Sequence, residues 1–224
     1  MELASEIRTY STLILMLLST LFWCSVYLYT YNKYQGKKKD HFSNNAFWSN
    51  VHSIGCLLLA TLSLLSFNLN WNTTSHYFEI LLLSWVTGYF IIDVIDCIIQ
   101  KSIMFLVHGI IGWMLLYATS SNPFFALRTA SKGYYIELSN PFYLHWKTKN
   151  RTKTFFGVFC VVFFLCRIVY TPLFLYSIFA DLDSQNNWFA ILASLAFYII
   201  NWIWFVNGAI MFFQYKEDNA KKIT

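Results

Sequence analysis

Asp93, Asp96 and His108 stand within "GYFIIDVIDCIIQKSIMFLVHG", residues 88–109, a stretch otherwise apolar enough to lie in lipid. His52, Lys132, Glu137, Arg167 and Asn207 interrupt other apolar stretches in the same way. A charged side chain at the centre of a membrane helix costs on the order of 2.5–3.5 kcal/mol on insertion scales, so such groups should face one another or a water-filled interior. Asp93 and Asp96 are three residues apart and share a helical face with Tyr89 and Gln100, which gives that face a polar stripe. His108 is close enough in sequence for Asp93 to orient its ring, an arrangement suited to proton transfer or to gripping a polar ligand. Plainer roles stand beside these. His52 could be a helix-to-helix hydrogen-bonding group, Asp96 could snorkel to water, and Glu137 with Arg167 could be a structural ion pair. His52, Asp93 and His108 are not at a spacing diagnostic of metal ligands, and no metal is expected. No Ser/His/Asp order, P-loop or GxGxxG is present, so hydrolase, nucleotide and dinucleotide chemistry of the soluble kind have no support.

The elements that must position these residues are membrane helices. Of 224 residues, 57% are hydrophobic, 21% aromatic and only 12% charged, about half the charge of a soluble domain. Apolar runs long enough for a bilayer fall at about 7–31, 46–68, 76–100, 102–119, 123–146, 154–180 and 187–214. The fourth is short, and the fifth contains Arg128, Lys132 and Glu137. Pro141 and Pro172 predict local kinks in the fifth and sixth. The first run exceeds a signal-peptide core, follows Glu2 and Glu6 and ends without a small-residue cleavage site, so it is expected to be retained. Cys24, Cys56, Cys97, Cys160 and Cys166 all lie in apolar stretches, as small hydrophobes rather than a disulfide or zinc framework.

Lysine and arginine alternate between loops. Twelve of the 16 fall in "NKYQGKKKDH", "QK", "KTKNRTK" and the tail "KEDNAKKIT", which the positive-inside rule places in the cytosol with the N-terminus outside. An even number of spans would destroy that alternation. The net charge of +5 is thereby explained by topology, and no nucleic-acid partner is expected. Trp48, Trp71, Trp146 and Trp188 fall near predicted helix ends, where aromatic belts form. Asn72, in "NTT", is a glycosylation sequon on the predicted lumenal side, whereas "NRT" at Asn150 falls on the cytosolic side and should stay unmodified. Lys221 and Lys222 in "KKIT" have the spacing of the dilysine signal through which coat proteins retrieve membrane proteins to the endoplasmic reticulum.

Helical rise converts position into depth. Asp93 and His108 are equally far from the turn at Gln100 and Lys101, roughly 10 Å below the cytosolic surface. His52 and Asn207 reach about the same level, and Glu137, Lys132 and Arg167 form a second layer further in. The expected architecture is therefore all-α and polytopic, with seven transmembrane helices around a central polar cavity.

The same residues carry a resemblance. "SNVHS" around His52, "GYFIID" ending at Asp93, "FLVHGIIGW" around His108, "ELSNPF" from Glu137 and "FLCRIVYTP" around Arg167 follow one another from about Phe47 to Gln214. In that order the chain resembles TLC-domain proteins, the group of the ceramide synthases, the translocating-chain-associated membrane protein and an endoplasmic-reticulum cargo receptor linked to ceroid lipofuscinosis. The resemblance implies a helical bundle around a cavity over residues 46–214, preceded by a first helix and basic loop (1–45) and followed by a cytosolic tail (215–224). Ceramide synthases resemble one another in a double histidine, a following threonine and later aspartates. Here those positions hold Val107 before His108, and Ile111, with no "DxSD"-like stretch. "ExSNPF" is instead similar to the smaller TLC-domain proteins, which are associated with membrane lipid composition.

Three functions follow as expectations. The first is lipid handling in the endoplasmic reticulum, an acyl chain entering the cavity while Asp96, Lys132, Glu137, Arg167 and Asn207 grip a head group, Arg167 and Lys132 suiting a phosphate or carboxylate. The second is acyl transfer in sphingolipid metabolism, with acyl-CoA as substrate rather than any bound cofactor. His108 would be base or acyl acceptor, Asp93 would orient it, and His52 would stabilise the thiolate or oxyanion. The third is a cargo receptor cycling between endoplasmic reticulum and Golgi.

Overall fold

The structure is a computed structural model that describes residues 2–34, 41–99, 101–120, 125–148, 151–179 and 188–215. All three prolines fall after residue 120, and the first four apolar runs fold as uninterrupted helices: α1 (Glu2–Tyr34), α2 (His41–Asn68), α3 (Asn72–Ile99) and α4 (Ile103–Ser120). In lipid only a helix or a closed barrel satisfies every backbone group, and among the described residues every regular element is helical. The α2–α3 turn closes on Asn70, whose φ of 61° is a left-handed conformation that asparagine tolerates. Trp71 N–H donates to the Ser66 carbonyl at 2.8 Å across that turn. Lys101, at φ 57°, plays the same part between α3 and α4, with Ser102 N–H donating to the Cys97 carbonyl at 2.9 Å.

Five helical segments are long and apolar enough to cross a membrane: Ser11–Thr30, Phe47–Asn68, Asn72–Ile99, Lys153–Tyr176 and Trp188–Phe213. The chain is a multi-pass, all-α membrane protein. The two remaining predicted spans differ from simple helices. The apolar part of α4, Phe105–Ala118, is shorter than a full span. The fifth is broken into α5 (Thr129–Gly133), a 3-10 stretch (Tyr134–Leu138) and α6 (Ser139–Thr148). Pro141 accounts for the restart, since its missing N–H costs nothing in the first turn of α6 but would cost a bond in a continuous helix. The three pieces pack beside α2, where irregular backbone is tolerated because protein covers it.

The sixth run departs from regular α-helix just before Pro172. It consists of α7 (Lys153–Phe163), a π-helical stretch (Phe164–Val169) and α8 (Tyr170–Phe179). Pro172 has no N–H to give the Ile168 carbonyl, and the Tyr198 hydroxyl of α9 (Trp188–Phe213) donates to it at 3.2 Å instead. Helix α3 is the hub, packed against α1, α2 and α4, while α9 closes the bundle against α4 and α7.

Two of the four tryptophans expected in an interfacial belt are core residues. Trp48 and Trp146 are buried, whereas Trp71 and Trp188 are exposed near helix ends as expected. Trp48 is drawn inward by Tyr89 and Tyr27, its ring 5.3 Å and 5.8 Å from theirs. All five cysteines are free thiols, Cys56 and Cys97 buried. Asn150, the tail with Lys221 and Lys222, and most of the first basic loop lie outside the described residues.

Candidate functional site

A cavity of about 630 Å³ lies between α2, α3, α4, the broken segment, α8 and α9, within the range of small-molecule sites. Along α4 it is lined from Ser102 to Ala118, roughly 24 Å of helix. Its character changes over that length. Near the α3–α4 turn stand Ser49, Asp93, Asp96 and Ser102; at mid-length His52, Tyr89, His108, Glu137, Asn140 and Arg167; beyond them Leu115, Leu116, Ala118, Ala130, Phe174 and Ala190.

His52, 3% exposed, stacks on Tyr89 with ring centroids 3.6 Å apart and planes 13° apart. Trp23 meets it edge-on at 6.0 Å, and the Cys56 thiol lies 3.5 Å from Nε2. The Tyr89 hydroxyl hydrogen-bonds Asp93 and lies 3.1 Å from Ser49 Oγ. Asp93 sits beside α4, its Oδ2 3.6 Å from where a Cβ on Gly109 would be. It does not hold His108 as the sequence suggested. Tyr89, one helical turn away, takes the carboxylate, and the His108 ring is clamped by Trp204 at 4.6 Å and Phe197 at 5.2 Å. Nδ1 of His108 is buried with no hydrogen-bond partner.

Arg167, 2% exposed, comes from the π-helical stretch. Its Nη2 lies 3.5 Å from Glu137 Oε1 and donates to Asn140 Oδ1 at 3.0 Å. Nε donates to Ser139 Oγ at 3.0 Å, and Nη1 to Asn201 Oδ1 at 3.1 Å. Glu137 also accepts from Ser53 Oγ at 2.9 Å and from the Asn140 amide. A buried charge pair is tolerable only when its remaining donors and acceptors are filled in this way.

Two expected residues lie elsewhere. Lys132 is half-buried in α5 but outside the cavity lining, and Asn207 is exposed on the outer face of α9. Asn201 reaches Arg167 in place of Asn207, because the face of α9 that carries Ala193, Phe197 and Asn201 is the buried one. Asp96 does not snorkel. It is 1% exposed and accepts from the Tyr27 hydroxyl at 3.1 Å. Asn72 is exposed at the start of α3. Among the described residues no three His, Cys, Asp or Glu side chains converge as metal ligands.

A family model for the TLC domain matches residues 42–209. The chain belongs to the TLC-domain family. Searches of curated proteins and of solved structures return no match. The TLC domain thus runs from the start of α2 through most of α9 and carries every cavity-lining residue. Helix α1 precedes it, yet supplies Tyr27 to Asp96 and Trp23 to the packing around His52.

The sequence reading passed over a second buried polar cluster in the TLC domain. Glu79 on α3 is fully buried and accepts from Ser63 Oγ at 3.0 Å, from the Ser131 hydroxyl and from Ser131 N–H. Ser75 Oγ donates to the Ser63 carbonyl at 2.9 Å and accepts from Arg128 Nε at 2.6 Å. Arg128, in left-handed backbone, also donates to the carbonyls of Phe125 and Ala126. These bonds fasten the entrance of the broken segment to α2 and α3. The available signal was a glutamate one turn into a predicted span, with serines on the facing helix. Glu79→Leu strands the N–H and hydroxyl of Ser131, each worth about 1–3 kcal/mol when left unpaired in a buried site, and leaves Ser63 only the Ser75 carbonyl at 3.4 Å. A lowered melting temperature of detergent-purified protein is the expected result, and an unchanged one would mean the cluster does not anchor the segment.

Proposed function

We propose that the protein holds one acyl chain or single-chain lipid in this cavity, with the head group among Ser49, Asp93 and His108 and the tail along Leu115, Leu116 and Ala118. The observation that carries the reading is the change of lining along α4, from charged and hydroxylated to apolar in one continuous space. Arg167 has acceptors for Nε, Nη1 and Nη2 already, so it shapes the site more than it grips an anion. Head-group contact falls instead to His108 Nδ1, among the described residues the one buried ring nitrogen without a partner on a cavity-lining side chain. Location in the endoplasmic reticulum, with Asn72 lumenal and glycosylated and the Lys221–Lys222 tail cytosolic and bound by coat proteins, belongs to the same proposal and rests on the loop charges and the tail spacing.

Acyl transfer from acyl-CoA is the second reading, and the free Nδ1 is what favours it, as an unengaged imidazole is what a base or acyl acceptor needs. Against it stands the absence of any carboxylate bond to that nitrogen, which leaves the ring oriented by aromatic packing alone.

The test uses purified full-length protein and His108→Ala, each extracted for lipid mass spectrometry and each incubated in membranes with labelled acyl-CoA. Lipid is expected to co-purify with the wild type, and to fall about tenfold in affinity in His108→Ala as one head-group hydrogen bond is lost. Neither protein should make a labelled lipid. A labelled product formed by the wild type alone would replace this reading with acyl transfer, and a wild-type protein free of lipid would end it.

A further inference from the structure

Two threonines in the far part of the cavity behave unlike other helical threonines of the bundle. A threonine inside a helix usually returns its hydroxyl to the carbonyl four residues back. Thr20, Thr30 and Thr87 do so, at 2.8, 2.9 and 2.8 Å. Thr129 and Thr171 do not. Each is at most 4% exposed, each lines the cavity, and each Oγ1 is buried without a hydrogen-bond partner. The backbone explains why. Thr129 opens α5 directly after the left-handed Arg128, so no helical carbonyl stands one turn behind it. Thr171 comes two residues after the π-helical stretch, whose wider turn shifts the carbonyl it would otherwise use.

Their level in the cavity follows from the packing. Ala130, next to Thr129, shares a packed cluster with Leu116. Phe174, one turn after Thr171, packs against Ala118 and Ala190. Leu116 is eight residues beyond His108 on α4, roughly 12 Å deeper along the cavity. Thr129 therefore stands near the level of Leu116, and Thr171 stands one turn beyond Arg167, roughly 6 Å from the polar level. They are neutral, and beyond the polar level the lining is hydrocarbon apart from hydroxyls such as those of Ser194 and the two threonines, so a charged group would go uncompensated there whereas a hydroxyl could both donate and accept.

We propose that the apolar part of the cavity recognises a hydroxyl carried part-way along the acyl chain, with Thr129 and Thr171 as its hydrogen-bonding partners. This rests on the reading of the cavity as a lipid site and narrows the ligand class to mid-chain hydroxylated acyl lipids.

Oleate and ricinoleate test it, since they differ only by a mid-chain hydroxyl. Full-length protein in detergent is loaded with radiolabelled oleate and titrated with each unlabelled acid. Wild-type protein is expected to take ricinoleate about tenfold more tightly than oleate. Thr129→Val with Thr171→Val preserves side-chain shape, and should bind both acids equally with oleate affinity unchanged, which also shows that the variant is folded. Thr129→Ser with Thr171→Ser should keep the preference. Equal wild-type affinities would mean the two hydroxyls serve only water, overturning this inference while leaving the lipid reading intact. A preference that survives in the valine variant would place recognition elsewhere and overturn it as well. Failure of the wild type to bind either acid would overturn both.

Discussion

Arg167→Met is expected to destabilise the protein by about 3–5 kcal/mol, the usual cost of leaving one member of a buried ion pair without the other. The guanidinium contacts Glu137, Asn140, Ser139 and Asn201, and so ties the broken segment to the π-helical stretch and α9. Removing it leaves the Glu137 carboxylate with Ser53 and Asn140 but no counter-charge, and leaves three acceptors unfilled. Arg167→Lys keeps the charge but cannot reach Ser139, Asn201 and Asn140 together, because an ammonium is a point donor where the guanidinium is a planar fork. It should fall between. Arg167→Met combined with Glu137→Gln should recover most of the loss, since a neutral amide can still accept from Ser53 and Asn140. Thermal melts of detergent-purified protein, followed by loss of monodisperse material, read all three. If Arg167→Met melts with the wild type, the network is incidental to the fold.

Much of this arrangement could be read from the residues, because lipid imposes rules that water does not. A charge or imidazole in an apolar run must find a partner, which turns Glu137, Arg167, His52, Asp93 and Asp96 toward the interior, and all five line the cavity. What escaped was rotational detail. Depth along a helix follows from counting, but which way a side chain faces depends on the neighbour. Asn207 points outward, while Asn201 makes the contact. Counting likewise brought Asp93 level with His108, but Tyr89 competes for that carboxylate from the same helix face. The fifth span illustrates a third kind of difference. Its charges warned that it was a poor lipid-facing helix, and the structure makes it a broken, protein-covered segment. Glu79 was missed because a glutamate near a helix start passes for an interfacial one.

Gly88→Leu should have the next largest effect. A Cβ at this position of α3 would lie 2.7 Å from the backbone carbonyl carbon of Ser19 and 2.7 Å from the Thr20 nitrogen. These are main-chain atoms of α1, so no rotamer change relieves the contact and the two helices must part. Overpacking a well-filled site costs typically 1–3 kcal/mol, and more where backbone has to move. The damage should spread to the cavity, since α1 on that same seat donates Trp23 Nε1–H to the Trp85 carbonyl at 3.1 Å and the Tyr27 hydroxyl to Asp96 at 3.1 Å. Gly88→Leu is therefore expected to lower both the melting temperature and the amount of co-purifying lipid. Gly109→Ala, where the nearest atoms lie at 3.4 and 3.6 Å, should leave the melting temperature close to that of the wild type. Tyr27→Phe separates the two consequences, removing the bond to Asp96 while α1 stays seated. Lipid loss in Tyr27→Phe without loss of stability would make α1 part of the binding site. Lipid loss confined to Gly88→Leu would make it a buttress, holding the His52–Tyr89 stack in place from outside the TLC domain.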